Sequence, residues 1–258
     1  MTYVDLRSIT SAEASALPAG AIGVVQVGAL EQHGPHLPLC TDNLITEAVV
    51  QRVAERVAVP VVVAPLIAVG LSDHHAAFPG TVTLERDVFD GLLEAHVAAF
   101  ARMGVRRVAL VSAHGGNFRA LGELAERLRA PDLDVRAYAD FARFLEVMAA
   151  AGRDAGLDAP PTDSHAGAYE TSMVLAIAGD DAVREHAAVE GYTANEDGWL
   201  ERLQRDGVGA LSPIGVIGRP AGANAGAGRR ELDALADEIA AWAMATFDVP
   251  AQARAVTA

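Results

Sequence analysis

The sequence predicts an α/β fold, a three-layer αβα sandwich around a mostly parallel central sheet. Three observations carry that prediction. Short runs rich in β-branched residues alternate with longer segments of helical periodicity through the first two thirds of the chain. Those runs are largely apolar rather than apolar only at alternate positions, as expected of strands buried on both faces. And 258 residues, 51% of them hydrophobic, suffice for one large core without disulfides. A single domain over 1–258 is the simplest account, since no internal repeat or low-complexity linker interrupts the chain.

In chain order, 21–28, 61–67 and 107–113 read as strands, each bounded by Gly, Pro or polar residues. A fourth strand is expected over 135–139, and 173–178 fits either a strand or the core of a helix. Between them, Asp42 is placed to cap a helix over 43–57, in which Leu44, Val49, Val53 and Val57 recur near helical spacing. Further helices are expected over 87–103, 118–129 and 231–247. The β-α-β rhythm puts helices on both faces of the sheet. The segment 215–230, GVIGRPAGANAGAGRR, contains Gly-x-Gly but follows no βαβ opening, so a mobile or tightly packed loop is the better reading than a dinucleotide fingerprint.

Composition removes several classes of function. The net charge is −14, from 34 acidic and 20 basic residues, which repels phosphate backbones and excludes nucleic acid as the expected partner. Every basic residue is an arginine, so lysine Schiff bases and a Walker-type phosphate loop are ruled out. The lone cysteine, Cys40, leaves any metal to His, Asp and Glu. No secretory signal is recognisable at the N-terminus and no run of 18 apolar residues occurs, so a cytoplasmic protein with no membrane partner is expected.

Chemistry-bearing residues gather where predicted strands end, the place where open parallel sheets bind ligands. After the first comes GALEQHGPHLPLCTD, in which Glu31 and His33 project to one side of extended chain and Asp42 opens the next helix. Such a mixed set suits Zn²⁺, Mn²⁺ or Fe²⁺, although Asp42 alone could be a helix cap and His36, between prolines, a packed loop histidine. After 107–113 comes His114-Gly115-Gly116-Asn117, two glycines that let backbone approach a ligand and an asparagine placed to cap a helix. Further on, His165 precedes Glu170, which falls in a first helical turn and suits a ligand with an acid/base partner. Ser72 and His75, in GLSDHHAAFPGT, offer a substrate wall, whereas His96 and His186 read as structural or solvent-facing.

The segments EQHGPHLPLCTD, HHAAFPGT, SAHGGN and HAGAYETS, in this order, resemble the signature segments of the creatininase (creatinine amidohydrolase) family. The resemblance spans roughly Gly28 to Ser172, and more loosely the late glycine-rich segment. It implies a creatininase-like sandwich with two divalent metal ions per chain (Zn²⁺, Mn²⁺ or Fe²⁺). Glu31 and His114 would serve one ion, His33 and Glu170 the other, and Asp42 would bridge. A water or hydroxide between them would attack, with His165 shuttling its proton to the leaving nitrogen and Glu170 completing the catalytic set. Substrate would meet Ser72, His75, Gly115, Gly116 and Asn117. A homo-oligomer, commonly a hexamer in the family, is also implied.

The sequence departs from creatinine-specific members at two places. They carry Tyr and Glu where Gly115 and Gly116 stand, and a tryptophan before the matching histidine where this chain has Pro160-Pro161-Thr162-Asp163-Ser164. The glycines are expected to open space for a larger substrate, and Arg119 and Arg219 to offer carboxylate binding. The reading is therefore a metal-dependent amidohydrolase of a small amide partner: a lactam, cyclic amide or formamide. The alternatives are a peptidase-like member releasing a short C-terminal peptide from a modified precursor, and a non-catalytic ligand-binding protein. A serine hydrolase is disfavoured: there is no Gly-x-Ser-x-Gly, and Ser112 lies inside a strand.

Overall fold

A computed structural model describes residues 3–251. Five parallel strands form one sheet in the order β1-β3-β2-β4-β5: β1 (Tyr3–Asp5), β2 (Ile22–Val27), β3 (Val61–Val63), β4 (Arg107–Ser112) and β5 (Asp134–Ala137). The eight α-helices are α1 (Ser11–Ala14), α2 (Thr41–Ala54), α3 (Arg86–Arg102), α4 (Gly115–Leu128), α5 (Phe141–Asp154), α6 (Ala168–Ala178), α7 (Trp199–Asp206) and α8 (Ala225–Phe247). The predicted α/β sandwich is the observed one.

The period of two sorts the strands' side chains. Ile22 and Val24, Val61 and Val63, and Ala109 and Val111 face a core shared with α2, α5, α6 and α8. Val25 and Val27, Val62, and Val108 and Leu110 face the opposite core, built with α3 and α4. Each such side chain, taken fully from water, contributes about 1.5–3 kcal/mol. A strand clothed on both faces has no solvent side to show, which is why β2 reads as a largely apolar run, its one polar side chain, Gln26, buried and donating to the Ala64 carbonyl.

Several expectations need correction. The run 61–67 is a strand over three residues; Pro65 withholds a ladder donor, and Ile67 rejoins only as an isolated bridge to Val27. The ambiguous 173–178 is helical, the buried C-terminal half of α6. Asp42 is not a cap: α2 starts at Thr41 with Cys40 in the cap position and no side-chain cap bond, which frees the Asp42 carboxylate. Nor does Asn117 cap α4, which begins at Gly115 with His114 at its cap position. The last six residues of the segment read as a loop over 215–230 are the start of α8, capped by Asn224 accepting from the Ala227 amide. The strand β1 and helices α5 and α7 were not anticipated. Among the described residues no helix is long and apolar enough to cross a membrane.

This topology opens a crevice. From β2 the chain passes through α2 to β3 on one side, and from β4 through α4 to β5 on the other. The loops leaving the carboxyl ends of β2 and β4 diverge, and ligands bind at such a switch point.

Candidate metal centre and catalytic cleft

Four chain segments converge in that crevice. The loop after β2 supplies Glu31 and His33, the first turn of α2 Asp42, the cap position of α4 His114, and the approach to α6 His165 and Glu170. All six are buried. Asp42 lies between two groups: its Oδ2 is 3.3 Å from His114 Nδ1, and its Oδ1 is 3.7 Å from His33 Nε2. Glu31 Oε2 stands 3.3 Å from His114 Nε2, and Glu170 Oε2 3.6 Å from His33 Nε2. The five residues expected to hold metal are thus brought together in two lobes that share Asp42.

The lobes fit divalent cations on their own chemistry. Both Glu31 oxygens, His33 Nε2 and Asp42 Oδ2 are buried with no hydrogen-bond partner among the described residues. Leaving such groups unpaired is costly unless something positive meets them. Potential ligand atoms lie within 4.8 Å of one another in three sets: Glu31, His74 and His114; His33, Asp42 and Glu170; and Glu31, His33 and His165. His74 was missed in the sequence. Its neighbour His75, expected to face substrate, lines the cleft as well but buries its ring, with Nε2 3.1 Å from Glu31 Oε1, while His74 stacks on His114. Adjacent residues on a 3₁₀ turn point apart, and a doublet of histidines does not say which faces in.

Protonation follows from this crowding. Burial pushes the Glu31 carboxyl up to about 7 against the pull of His114, and burial likewise takes Glu170 to about 7. Burial alone lowers His33 and His114, but Asp42 outweighs it at His33 and Glu31 with Asp42 at His114, raising them to about 10 and about 9. Asp42 is held well below the usual carboxylate range by the two imidazoles, despite its burial. Without metal, the cluster keeps protons on the atoms that face the lobes. His165 and His75 are driven the other way by burial and neighbouring imidazoles and stay neutral.

The supporting shell explains the motif residues around the cluster. Asn117, expected at substrate, is fully buried instead. Its amide donates to the Gly28 carbonyl (3.0 Å) and Ser112 Oγ (3.1 Å) and accepts from the Leu71 amide (3.0 Å), tying the ends of β2 and β4 to the loop after β3. Ser112, so occupied, is no nucleophile. Ser72 lies buried behind Glu31, whose charged form its hydroxyl favours, and not on the cleft wall. His36 is the packed histidine foreseen, bonded to Thr171 Oγ1 at 2.9 Å. His96 and His186 make only local contacts to carbonyls of their own segments. Asp163 accepts the Ala168 amide at the start of α6 and holds its approach loop. Part of the glycine-rich segment reaches the site: Ile217 exchanges backbone bonds with His165, and the Gly215 carbonyl accepts from Gln32.

Above the cluster lies a cleft of about 390 Å³. Its floor is Glu31, Asp42, His74, His114, His165 and Glu170; one wall is apolar, from Phe141, Phe144, Leu145 and Met148 of α5 and Leu200 and Leu203 of α7. Gly115 and Gly116 line it too, but they do not simply open space. A Cβ on Gly115 would fall 2.7 Å from the Phe141 ring, and one on Gly116 2.4 Å from both His114 Nε2 and the Leu71 carbonyl. The glycines admit α5's aromatic ring and the metal-facing imidazole. Arg119 reaches the rim, paired with Glu123 at 2.8 Å, whereas Arg219 turns away to the Asp158 carbonyl.

Comparison with known proteins agrees with this geometry. The creatininase family model (creatinine amidohydrolase) matches residues 7–243. A mycofactocin precursor peptide peptidase from Mycolicibacterium smegmatis is 36% identical over 230 residues, covering 85% of this chain and 84% of that protein. Creatinine amidohydrolase from Pseudomonas putida is 31% identical over 194 residues, covering 67% and 72%. A crystal structure of creatininase superposes with a TM-score of 0.72 at 27% identity, covering 96% of this chain and 99% of that one. Another, described as "Creatininase Mn", does so with a TM-score of 0.69 at 25% identity, covering 95% and 99%. In fold, signature segments and clustered ligand residues, this chain belongs to the creatininase family.

Proposed function

We propose that this chain is a dinuclear metal-dependent amidohydrolase that cleaves an amide bond near the end of a peptide, rather than a small cyclic amide. The observation that carries this reading is the apolar wall of α5 and α7 standing over a floor of metal-ligating groups. Clefts of 300–1,000 Å³ with mostly apolar walls and a few convergent polar groups take ligands of drug size, the scale of a short peptide end. The peptidase relatives match a larger share of the chain than creatinine amidohydrolase does, which supports the same choice.

In this proposal Glu31 and His114 would hold one cation and His33 and Glu170 the second, with Asp42 shared between the two lobes. When bound, the ions supply a water acidified toward neutrality and a Lewis acid for the amide carbonyl. His165, neutral and beside the floor, takes the proton of the attacking water. It then delivers that proton to the leaving nitrogen as the C–N bond breaks, so water and amide become carboxylic acid and amine, which leave as carboxylate and ammonium. The apolar wall excludes bulk water and seats a side chain next to the scissile bond, and Arg119 at the rim meets a carboxylate.

The test is mass spectrometry of zinc- or manganese-loaded protein incubated with a panel of peptides, formamides, lactams and creatinine. Cleavage of one bond near a peptide terminus, with creatinine intact, is expected. Brisk creatinine turnover without peptide cleavage overturns the proposal.

A further inference from the structure

Between the metal ligands Glu31 and His33 stands Gln32, 5% exposed, for which neither the signature resemblance nor the ligand geometry provides a role. Its side chain makes contacts that leave little freedom. The Gly34 amide donates to Gln32 Oε1 at 2.9 Å, which fixes which end of the carboxamide is oxygen. The Nε2 end then faces three groups: the Gly215 carbonyl at 3.0 Å, His75 Nδ1 at 2.8 Å and His165 Nε2 at 2.9 Å. An NH₂ carries two hydrogens, so one of the three cannot receive one.

His165 is the group left out, because its Nε2 also lies 2.9 Å from the Gln32 backbone carbonyl. A carbonyl only accepts, so that nitrogen carries a hydrogen and donates it. The two amide hydrogens go to the Gly215 carbonyl and His75 Nδ1. His75 Nδ1 is therefore bare and its hydrogen sits on Nε2, 3.1 Å from the Glu31 carboxylate, where a lone pair would be repelled. His165 Nδ1 is bare as well, 3.8 Å from Glu31 Oε1 and next to the floor of the cleft.

We propose that Gln32 is a positioning residue that fixes the tautomers of two buried histidines: through its side-chain amide it holds His75 with the hydrogen toward Glu31, and through its backbone carbonyl it holds His165 with a bare Nδ1 toward substrate. Resting on the function proposed above, the consequence is that His165 begins the cycle able only to accept at Nδ1. The water O–H breaks and the proton moves to Nδ1; the imidazolium so formed keeps its Nε2–H on the Gln32 carbonyl; Nδ1–H then protonates the departing amine. One proton is taken and one returned, and the ring need not turn.

The tautomers can be read without any substrate, from ¹⁵N spectra of histidine-labelled protein in metal-free and zinc-loaded forms, the signals assigned with His75→Ala and His165→Ala. Wild-type protein is expected to show a bare Nδ1 and a protonated Nε2 on both rings; a protonated Nδ1 on either neutral ring overturns the proposal. Gln32→Glu, which presents an acceptor instead of a donor, is expected to put a hydrogen on His75 Nδ1 while zinc content holds. A His75 ring unchanged in that variant overturns the role of Gln32. If Gln32→Glu does not fold, Gln32→Met is expected to leave His75 in mixed tautomers, and a single unchanged tautomer counts against the proposal. Where a cleaved peptide is in hand, kcat is expected to fall about 10–100-fold with KM within about twofold. Failure to find a substrate defeats the peptidase reading and leaves the spectra standing.

Discussion

Glu231 on α8 is fully buried with both oxygens unpaired, and burial, with Asp163 nearby, pushes its carboxyl up to about 9. The folded chain keeps this proton where the unfolded chain loses it above about pH 4. Stability is therefore lost as pH rises from about 4.5 toward 9, by about 3 kcal/mol at pH 7. Glu231→Gln is expected to unfold at higher urea than wild type at pH 8 and at nearly the same urea at pH 4.5; a gap independent of pH contradicts this. The ligand residues give the opposite dependence for metal. His33, at about 10, and His114, at about 9, hold protons in the metal-free chain that must leave before either binds an ion. Zinc affinity should thus climb from pH 6 to pH 9 with protons released, which calorimetry in buffers of differing ionisation heat measures; a flat profile argues against these two ligands. Asp42 touches both lobes, so Asp42→Ala should lower bound metal from about two equivalents to less than one, as elemental analysis would show.

At the scale of elements, two glycines make opposite statements. Gly228 lets α8 cross α6 in backbone contact: a Cβ there would meet the Ser172 carbonyl at 1.9 Å. Gly228→Ala should force the two helices apart and cost about 1–3 kcal/mol or more, seen as a lower Tm with any retained protein still binding metal. Gly116 sits in the first turn of α4, where a Cβ would strike His114 Nε2 and the Leu71 carbonyl. Gly116→Ala should weaken metal retention more than folding, because the displaced side-chain atom is that of a proposed ligand, His114. Comparing Tm and metal content of the two variants separates them; the same ranking by both measures would undo the distinction. The helix α5 acts on function as an element: its start delivers Phe141 to the cleft while Met148, two turns on, closes the wall.

For the whole molecule, the buried, uncompensated carboxylates and imidazoles couple folding to metal. A ligand that binds only the folded state at about 100 times its Kd adds roughly 2.7 kcal/mol. For a chain of this size each kcal/mol moves Tm by about 2–4 °C, so chelation should lower Tm by roughly 5–10 °C in differential scanning fluorimetry. An unchanged Tm would mean that the lobes are satisfied without metal.

What the sequence determined by itself was the sheet and the identity of the chemical groups. β2 and β4 announce themselves because strands buried on both faces are near-continuous apolar runs, and the ligands announce themselves because they follow directly where those strands end. Local signals failed where a residue's role depends on what packs against it. Asn117 and Ser72 look like polar groups for a substrate, yet both are fully buried, and Asn117 ties strand ends together. The His74-His75 doublet carries no sign of which ring turns in to Glu31. α5 went unread, although its Phe141 stands where Gly115 leaves room for it. Tertiary structure alone decided these, along with the pairing of Asp42's two oxygens with different imidazoles and the placing of Gln32 between two more. Those arrangements join residues up to 183 positions apart, and no local periodicity records a contact made only when distant loops close over one crevice.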